Sequence, residues 1–260
     1  DTFQERLYCI QWTTKESFGK LRQETFFASI TEQDLERERK VQAIVSESLL
    51  HWQDEGLAPD MPIESGGPPR YQGRDLVIAR GWSNWSNLFN ARQIVLCVLF
   101  AGQIRSGSAP HLVLQLPKII DHNSRLSRWN PGFGNDKIEN ALYNQAFNTV
   151  YNYGSRALSY ALNHWGELPP NEPLGVSIQI QNLSAIDVCS TSTLWITDPP
   201  YGNAVMYHEI TEFFIAWLRK NPPQPFDQWT WDSRRDLAIK GSGDDFRRGM
   251  VDAYRAMTEH

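Results

Sequence analysis

The sequence has no long apolar run, and nothing in it approaches the roughly 20 apolar residues that a membrane-spanning helix needs. Its start, DTFQERLYC, lacks the basic-then-apolar layout of a secretory signal peptide. Positive charge is also scarce, since 25 Lys and Arg face 30 Asp and Glu and leave a net charge of -5. This balance argues against a strongly basic nucleic-acid clamp. We expect a soluble, cytoplasmic protein on which any phosphate-binding surface is local or belongs to another segment.

Cysteine is rare as well, because Cys9, Cys97 and Cys189 are the whole set and lie far apart. Without a C-x-x-C pair they predict neither a structural zinc site nor a disulfide framework. The histidines show no spacing with carboxylates or cysteines that indicates a metal site. The 260 residues are nevertheless enough for one large α/β domain or two smaller ones with a substantial core.

Residues 1–72 are predicted to form a strand, a helix and a linker. The apolar run in ERLYCIQW is typical of a short strand. Thr31 is a good N-cap, with Asp34 in the first turn, for a helix whose apolar residues recur at helical spacing: Leu35, Val41, Ile44, Val45, Leu49 and Trp52. Residues 56–73 are rich in proline and glycine, which predicts a linker. We place a domain boundary after residue 72.

Residues 73–260 are predicted to alternate helices with strands, as in a layered α/β domain. A polar aromatic loop leads into a helix over 90–104 that is apolar on nearly all faces, which indicates full burial. A long helix is predicted over 136–154, continuing to 165. Its asparagines recur every four residues, and we interpret them as amides that bond neighbouring loops or as a surface facing a ligand or DNA: Asn140, Asn144, Asn148 and Asn152.

The next segments predict two strands and two helices. Val176, Ile178 and Ile180 alternate as in a half-buried strand, and the apolar run 193–197 predicts a second strand. Amphipathic helices are predicted over 203–220, where NPPQP ends the first, and from Asp244 onward.

Between the second strand and the first of these helices stands the tetrapeptide Asp198-Pro199-Pro200-Tyr201. This order places it at the carboxyl end of a strand, where open α/β sheets bind ligands. We expect the turn to lie beside a concave pocket.

The tetrapeptide has the groups that methylation of an aromatic amine requires. The lone pair of such an amine is delocalised into its ring, so acceptors must hold both N–H bonds and favour the pyramidal nitrogen. Asp198 can supply one acceptor and the backbone carbonyl of Pro199 the other, in a loop that two prolines make stiff. Tyr201 offers an aromatic face on which a flipped base can stack.

The motif resembles the D/N/S-P-P-Y/F/W signature of amino-methyltransferases, in which a leading Asp is typical of adenine N6 enzymes. Other segments resemble one branch of that group, the large bacterial adenine-specific DNA methylases with a zinc ribbon, found in anti-phage defence loci. These segments are residues 81–93, 125–130, 143–157, 197–220 and 246–260.

The resemblance implies that residues 73–260 are part of a methyltransferase catalytic domain. Its fold is implied to be a partial Rossmann-like sheet with flanking helices. The implied activity is a transferase reaction: S-adenosylmethionine donates a methyl group to adenine N6 in double-stranded DNA, in phage defence or restriction-modification. Asp198, Pro199, Pro200 and Tyr201 are its implied catalytic residues.

The sequence departs from this group in two respects. Such enzymes hold the methionine part of the cofactor with an F-x-G-x-G turn after a strand, and neither NPGFGN at 130–135 nor KGSGDD at 240–245 follows an adequate strand. The zinc-ribbon cysteines are also missing. We interpret the chain as a fragment, and expect the remainder of a longer polypeptide or a partner subunit to supply the cofactor loop.

Four further residues are candidates for substrate binding. His208 and Glu209 lie one turn into the helix after the motif, although Glu209 is equally suited to the positive end of a helix surface. Trp82 and Trp85 can stack on nucleic acid, or they belong to the core that precedes a buried helix.

Two alternative functions fit the same motif. Asp-Pro-Pro-aromatic turns also serve guanine and glutamine methylation, which leaves RNA or protein as the substrate. A degenerate relative without the cofactor loop would be a non-catalytic DNA-binding or scaffold module.

Overall fold

Helices and short strands are mixed along the chain in the computed structural model. The helices are α1 Glu32–Asp54, α2 Ala91–Arg105, α3 Leu116–His122, α4 Glu212–Leu218 and α5 Asp244–Glu259. The strands are β1 Cys9–Thr13, β2 Thr25–Ser29, β3 Trp129–Asn130, β4 Lys137–Ile138, β5 Leu142–Tyr143 and β6 Ala146–Phe147. The structure describes residues 6–20, 23–63, 78–106, 110–130, 137–143, 146–147, 177–199, 211–231, 239 and 243–260.

The chain divides into two compact units, Asp1–Glu167 and Leu168–His260. The boundary predicted after residue 72 lies among residues 64–77, outside the described ranges, and stays a prediction. Within the described ranges, no helix is both long enough and apolar enough to cross a bilayer.

A capping box begins α1, as the sequence predicts. The Thr31 side chain accepts the Asp34 N–H at 3.3 Å, and the Asp34 carboxylate accepts the Thr31 N–H at 2.9 Å. Hydrogen bonds from the Thr31 hydroxyl and N–H lower the pKa of Asp34. The helix ends at Asp54, and Gly56, just past its C-cap, has a left-handed φ of 68°.

The segment after Gly56 packs into the core of the first unit, where the sequence predicts a linker. Ala58, Met61 and Ile63 are buried, and the Ile63 N–H donates to the Ser83 carbonyl at 2.7 Å. Irregular backbone thus occurs as predicted, but the first part of this stretch is core, because apolar residues stand between its prolines.

Helix α2 also begins with a capping box, in which Asn90 and Gln93 exchange hydrogen bonds. It packs against α1 and α3 and buries most of its length. The prediction of full burial is wrong at Leu99, which is exposed on the face away from these two helices. The core of the unit is completed by residues with no exposed surface: Leu88, Cys97, Leu116, Ile119, Ile120 and Leu126.

The helix predicted over 136–154 is wrong wherever the structure describes it. Residues 137–138 pair antiparallel with β3, and β5 pairs with β6 across residues 144–145. Asparagine favours turns over helix interiors, and Asn-Gln stands between β5 and β6. The Asn140 side-chain oxygen accepts the Arg128 Nε–H at 3.3 Å, as expected of an amide that bonds a neighbouring loop.

The strands predicted around 176–180 and over 193–197 are also wrong in the described ranges. Residues 177–184 and 193–197 are neither helix nor strand; their aliphatic side chains are exposed and Trp195 is half-buried. A strand requires a neighbour with which to exchange backbone hydrogen bonds. Within the described ranges every sheet is a two-stranded antiparallel pair made of other residues, so these segments have no ladder to join.

The second unit contains both predicted helices. Helix α4 buries Phe213 and Trp217 and ends before Asn221, which has a left-handed φ of 50° and precedes two prolines. Residues 203–210 of the predicted helix lie outside the described ranges. Helix α5 packs against the 3-10 turn Ala185–Asp187, and the Ser192 N–H donates to the His260 carbonyl at 3.2 Å.

Candidate functional site

The described part of the predicted catalytic turn lies at the surface of the second unit. Asp198 is exposed and Pro199 is half-buried. Leu194 and Ile196, just before the turn, are 73% and 88% exposed. The prediction that this turn ends a buried strand is therefore wrong, because the preceding run has no sheet to cover it among the described residues. Pro200, Tyr201, His208 and Glu209 lie outside the described residues.

An exposed carboxylate beside a prolyl carbonyl provides two acceptors but no donor. A ligand with two N–H bonds on one nitrogen matches such a pair. Water competes for both acceptors at an exposed position, so the pair gains strength only when a covering surface excludes solvent.

Trp82, in the first unit, lies near two guanidinium groups. The Arg80 and Arg125 carbons Cζ lie 5.9 and 5.4 Å from its ring centroid. Both contacts fall within the range of cation–π attraction. Arginines at these distances attract the ring and compete with a base for its π surface.

Arg125 is held in place by one backbone and one side-chain hydrogen bond. Its N–H donates to the Leu88 carbonyl at 2.8 Å, and its Nη1 donates to the Asn87 carbonyl. The structure thus joins residues 81–93 and 125–130, two of the segments that carry the resemblance. Their contact creates a positively charged, half-buried surface around Trp82.

Trp85 belongs to the core, as the alternative interpretation has it. It is 3% exposed and stands in the 3-10 helix Trp85–Leu88. A ring covered to this extent has no free face for a nucleic-acid base. The two predicted tryptophans therefore differ: Trp82 is half-buried and Trp85 is part of the core.

A half-buried carboxyl that no sequence motif marks lies near the end of α3. Asp121 Oδ1 accepts the N–H groups of Ala141 and Leu142 at 2.8 and 3.3 Å. Burial raises the pKa of Asp121 from its ordinary value of 3.8 to about 6, against the opposing effect of the two N–H donors. The only sequence signal is its position after the apolar pair Ile119-Ile120, which also fits a solvated helix end.

The turn after Asp121 is a buried polar network. The Ser127 hydroxyl donates to the Asp121 carbonyl at 2.9 Å, and the Ser124 N–H donates to the Ser127 hydroxyl at 2.9 Å. Both serines and Asn123 have no exposed surface. This network fixes the backbone that presents Arg125 to Trp82.

No metal-binding cluster of three or more His, Cys, Asp or Glu side chains occurs in the part of the chain that the structure describes. Burial raises the pKa of the Cys97 thiol, which lies in the core between the helices. Such a thiol is protonated at neutral pH and is a poor nucleophile.

No family model, no curated protein and no solved structure matches this chain. The chemistry of its own residues therefore carries any assignment of function.

Proposed function

We propose that this chain carries the catalytic turn of an adenine N6 DNA methyltransferase that uses S-adenosylmethionine. The observation that carries the proposal is the tetrapeptide Asp198-Pro199-Pro200-Tyr201, which combines two acceptors, a stiff backbone and an aromatic ring within four residues. The substrate is an adenine flipped out of double-stranded DNA, and the setting is phage defence or restriction-modification.

In this proposal the turn binds the adenine amine and orients its lone pair. The Asp198 carboxylate and the Pro199 carbonyl each accept one N–H, which favours the pyramidal nitrogen that attacks a methyl group. Tyr201 stacks on the flipped base and offsets part of the cost of unstacking it. Rate enhancement comes from positioning and from acceptors aimed at the positive charge that develops on nitrogen.

The residues of this chain do not fit the cofactor by themselves. The sequence has no glycine turn after a strand through which backbone could approach S-adenosylmethionine. The proposal therefore assigns cofactor binding, and the Rossmann-like sheet that accompanies it, to a longer polypeptide or a partner subunit. The exposed apolar run before Asp198 supports this assignment, because a covering surface would bury Leu194 and Ile196.

The proposal is tested by Asp198→Ala in the longer polypeptide or complex. Because the carboxylate bonds the amine most strongly as the nitrogen becomes positive, its loss falls on the transition state. We expect single-turnover methylation of a duplex to slow by roughly 100-fold or more, with filter binding of the same DNA nearly unchanged. Asp198→Asn keeps one carbonyl acceptor and is expected to lose less.

The matched control is Asp227→Ala, which removes another exposed carboxylate of the second unit. It is expected to leave methylation unchanged. If Asp198→Ala methylated at the wild-type rate, the turn would be structural and the catalytic role wrong.

A non-catalytic DNA-binding or scaffold module is the second candidate, favoured by the missing glycine turn. It predicts DNA binding without any methyl transfer, even when the longer polypeptide is assayed.

A further inference from the structure

The hairpin formed by β1 and β2 presents aromatic side chains to solvent. Trp12 and Phe26 are directly opposite each other in its register, which places both side chains on one face. They are 43% and 51% exposed, although burial is the usual state of such large rings. We call the described residues of 8–29 the aromatic hairpin.

Residues 14–20 of the hairpin loop add a third exposed ring on a backbone held by hydrogen bonds. Ser17 is buried, accepts the Glu24 N–H at 2.9 Å and lies 2.6 Å from the Thr14 hydroxyl oxygen. Phe18 follows and is 64% exposed, and Gly19 has a left-handed φ of 81° that turns the chain after it. A backbone held in this way loses little conformational entropy when it binds a ligand.

Positive charge accompanies these rings in an otherwise acidic chain. Residues 6–30 contain four Lys or Arg and two Asp or Glu, whereas the whole chain has a net charge of -5. Lys15 and Lys20 are exposed in the loop, close in sequence to the Trp12–Phe26 pair. None of the ion pairs found among the described residues includes either lysine.

The opposite face of the hairpin attaches it to the rest of the first unit. Phe27, which points to that face, lies 6.2 Å from the Trp129 ring in β3, centroid to centroid. Phe27 is itself 52% exposed, so this contact covers the opposite face only in part, and it does not involve Trp12 or Phe26.

We propose that the aromatic hairpin binds unpaired nucleotides of a DNA strand. Bases stack on Trp12 and Phe26, and the phosphates between them pair with Lys15 and Lys20. Exposed rings with adjacent cations suit single-stranded nucleic acid, because every base has a π face and every linkage a negative charge. A purely apolar partner would leave the lysines without a complement. The choice of DNA rests on the proposed function, but the binding surface does not require catalysis.

The test is fluorescence anisotropy with labelled oligothymidylate and the complete 260-residue chain, without cofactor. We expect Trp12→Ala with Phe26→Ala to weaken binding by roughly tenfold or more, since each lost stack weakens binding separately. Lys15→Ala with Lys20→Ala should lower the slope of log affinity against log salt by about 0.7 per lysine. The aromatic double variant should keep the wild-type slope.

Two further variants make the result specific. Leu50→Ala removes an apolar side chain from α1 that is more exposed than either ring, and it should not change affinity. Trp12→Leu keeps apolar bulk but removes the π face, so it should weaken binding if bases stack there. Thermal unfolding of each variant shows whether the fold is intact, and Lys15→Ala with Lys20→Ala tests the surface even if an aromatic variant unfolds.

Three outcomes would overturn the proposal: no binding by the wild-type chain, affinity unchanged in both double variants, or loss of self-association rather than of DNA binding. The last would identify the face as a contact between copies of this chain. If the hairpin does not bind DNA, the outcome of the Asp198→Ala experiment is not affected. If Asp198→Ala does not slow methylation, the DNA-binding result for the hairpin still holds.

Discussion

Single residues in this chain gain their properties from burial more than from their type. Asp198 and Asp121 are both aspartates, yet one is exposed at a turn and the other is half-buried near the end of α3. Asp121 accepts the backbone N–H groups of Ala141 and Leu142. Its charge therefore opposes folding while its oxygen supports the backbone of β5.

This opposition predicts a pH dependence for the Asp121→Asn variant. The folded-state pKa, about 6, lies above the ordinary value of 3.8, so Asp121 contributes stability below pH 3.8 that is lost as pH rises through 6. The loss is at most about 3 kcal/mol from a shift of this size. Asparagine keeps an acceptor for both N–H groups without a charge to bury.

Urea unfolding between pH 3.5 and 7.5 measures the effect. We expect the stability of Asp121→Asn relative to wild type to rise with pH across this interval. Asp54→Asn, which changes an exposed carboxylate of α1, is the control. If the free energies of unfolding of Asp121→Asn and wild type ran parallel against pH, ionisation of the Asp121 carboxyl would not destabilise the fold.

At the scale of elements, two helical glycines with different surroundings allow a paired prediction. Gly102 in α2 has open space where a Cβ would stand, whereas a Cβ at Gly249 in α5 would lie 2.7 Å from Ile239 Cγ2. Alanine is favoured over glycine in a helix by about 1 kcal/mol. We therefore expect Gly102→Ala to stabilise the chain by up to that amount, and Gly249→Ala to destabilise it because overpacking outweighs helix propensity.

Thermal unfolding followed by circular dichroism compares the two variants directly. Combining Gly249→Ala with Ile239→Ala should relieve the contact, so that the pair costs less than the sum of its single changes. A Gly249→Ala variant as stable as Gly102→Ala would mean that Ile239 moves aside freely.

Capped helices were predictable from the sequence, and strands were not. The N-caps Thr31 and Asn90 act within their own helix, so local residues suffice to define α1 and α2. Ile178, Ile180 and the run 193–197 have strand patterns, but a strand depends on a distant partner that the local pattern does not contain. The spacing of residues 137–147 predicts a helix, but 137–138 pair with β3 and β5 pairs with β6. Strand pairing outweighs the helical spacing there.

For the candidate site, the sequence predicts chemistry better than position. The acceptors of Asp198 and Pro199 follow from residue type alone, and so does their fit to an amine. Other features depend on packing between segments tens of residues apart. They are the burial of Trp85, the two arginines near Trp82 and the partly covered carboxyl of Asp121. No spacing rule within one element contains that information.

At the scale of the whole molecule, the two units carry different parts of the proposed activity. The first unit has the Trp82 surface and the aromatic hairpin, with their cations, and the second has the Asp198 turn. The sequence of neither unit has an F-x-G-x-G segment, and of the glycines in NPGFGN and KGSGDD all but Gly243 lie outside the described residues. In the proposed function, the exposed apolar residues Leu194 and Ile196 beside Asp198 are the surface that further protein would cover.

These features predict that the 260-residue chain binds S-adenosylmethionine weakly or not at all. Tight binding of such a cofactor depends on backbone N–H groups that reach it closely, and only a glycine turn allows that approach. Without one, we expect isothermal titration calorimetry to show no saturation at concentrations up to about 1 mM, where the binding free energy is only roughly -4 kcal/mol.

The control titrates the longer polypeptide, or the chain with its partner subunit, under the same conditions, where we expect saturable binding. Asp198→Ala should not change that result, because its carboxylate acts on the adenine amine rather than on the cofactor. A micromolar dissociation constant for the chain alone would show that one of its own loops holds the cofactor. The glycines of NPGFGN and KGSGDD would then be the first positions to substitute, since the sequence offers them as its nearest approach to such a turn.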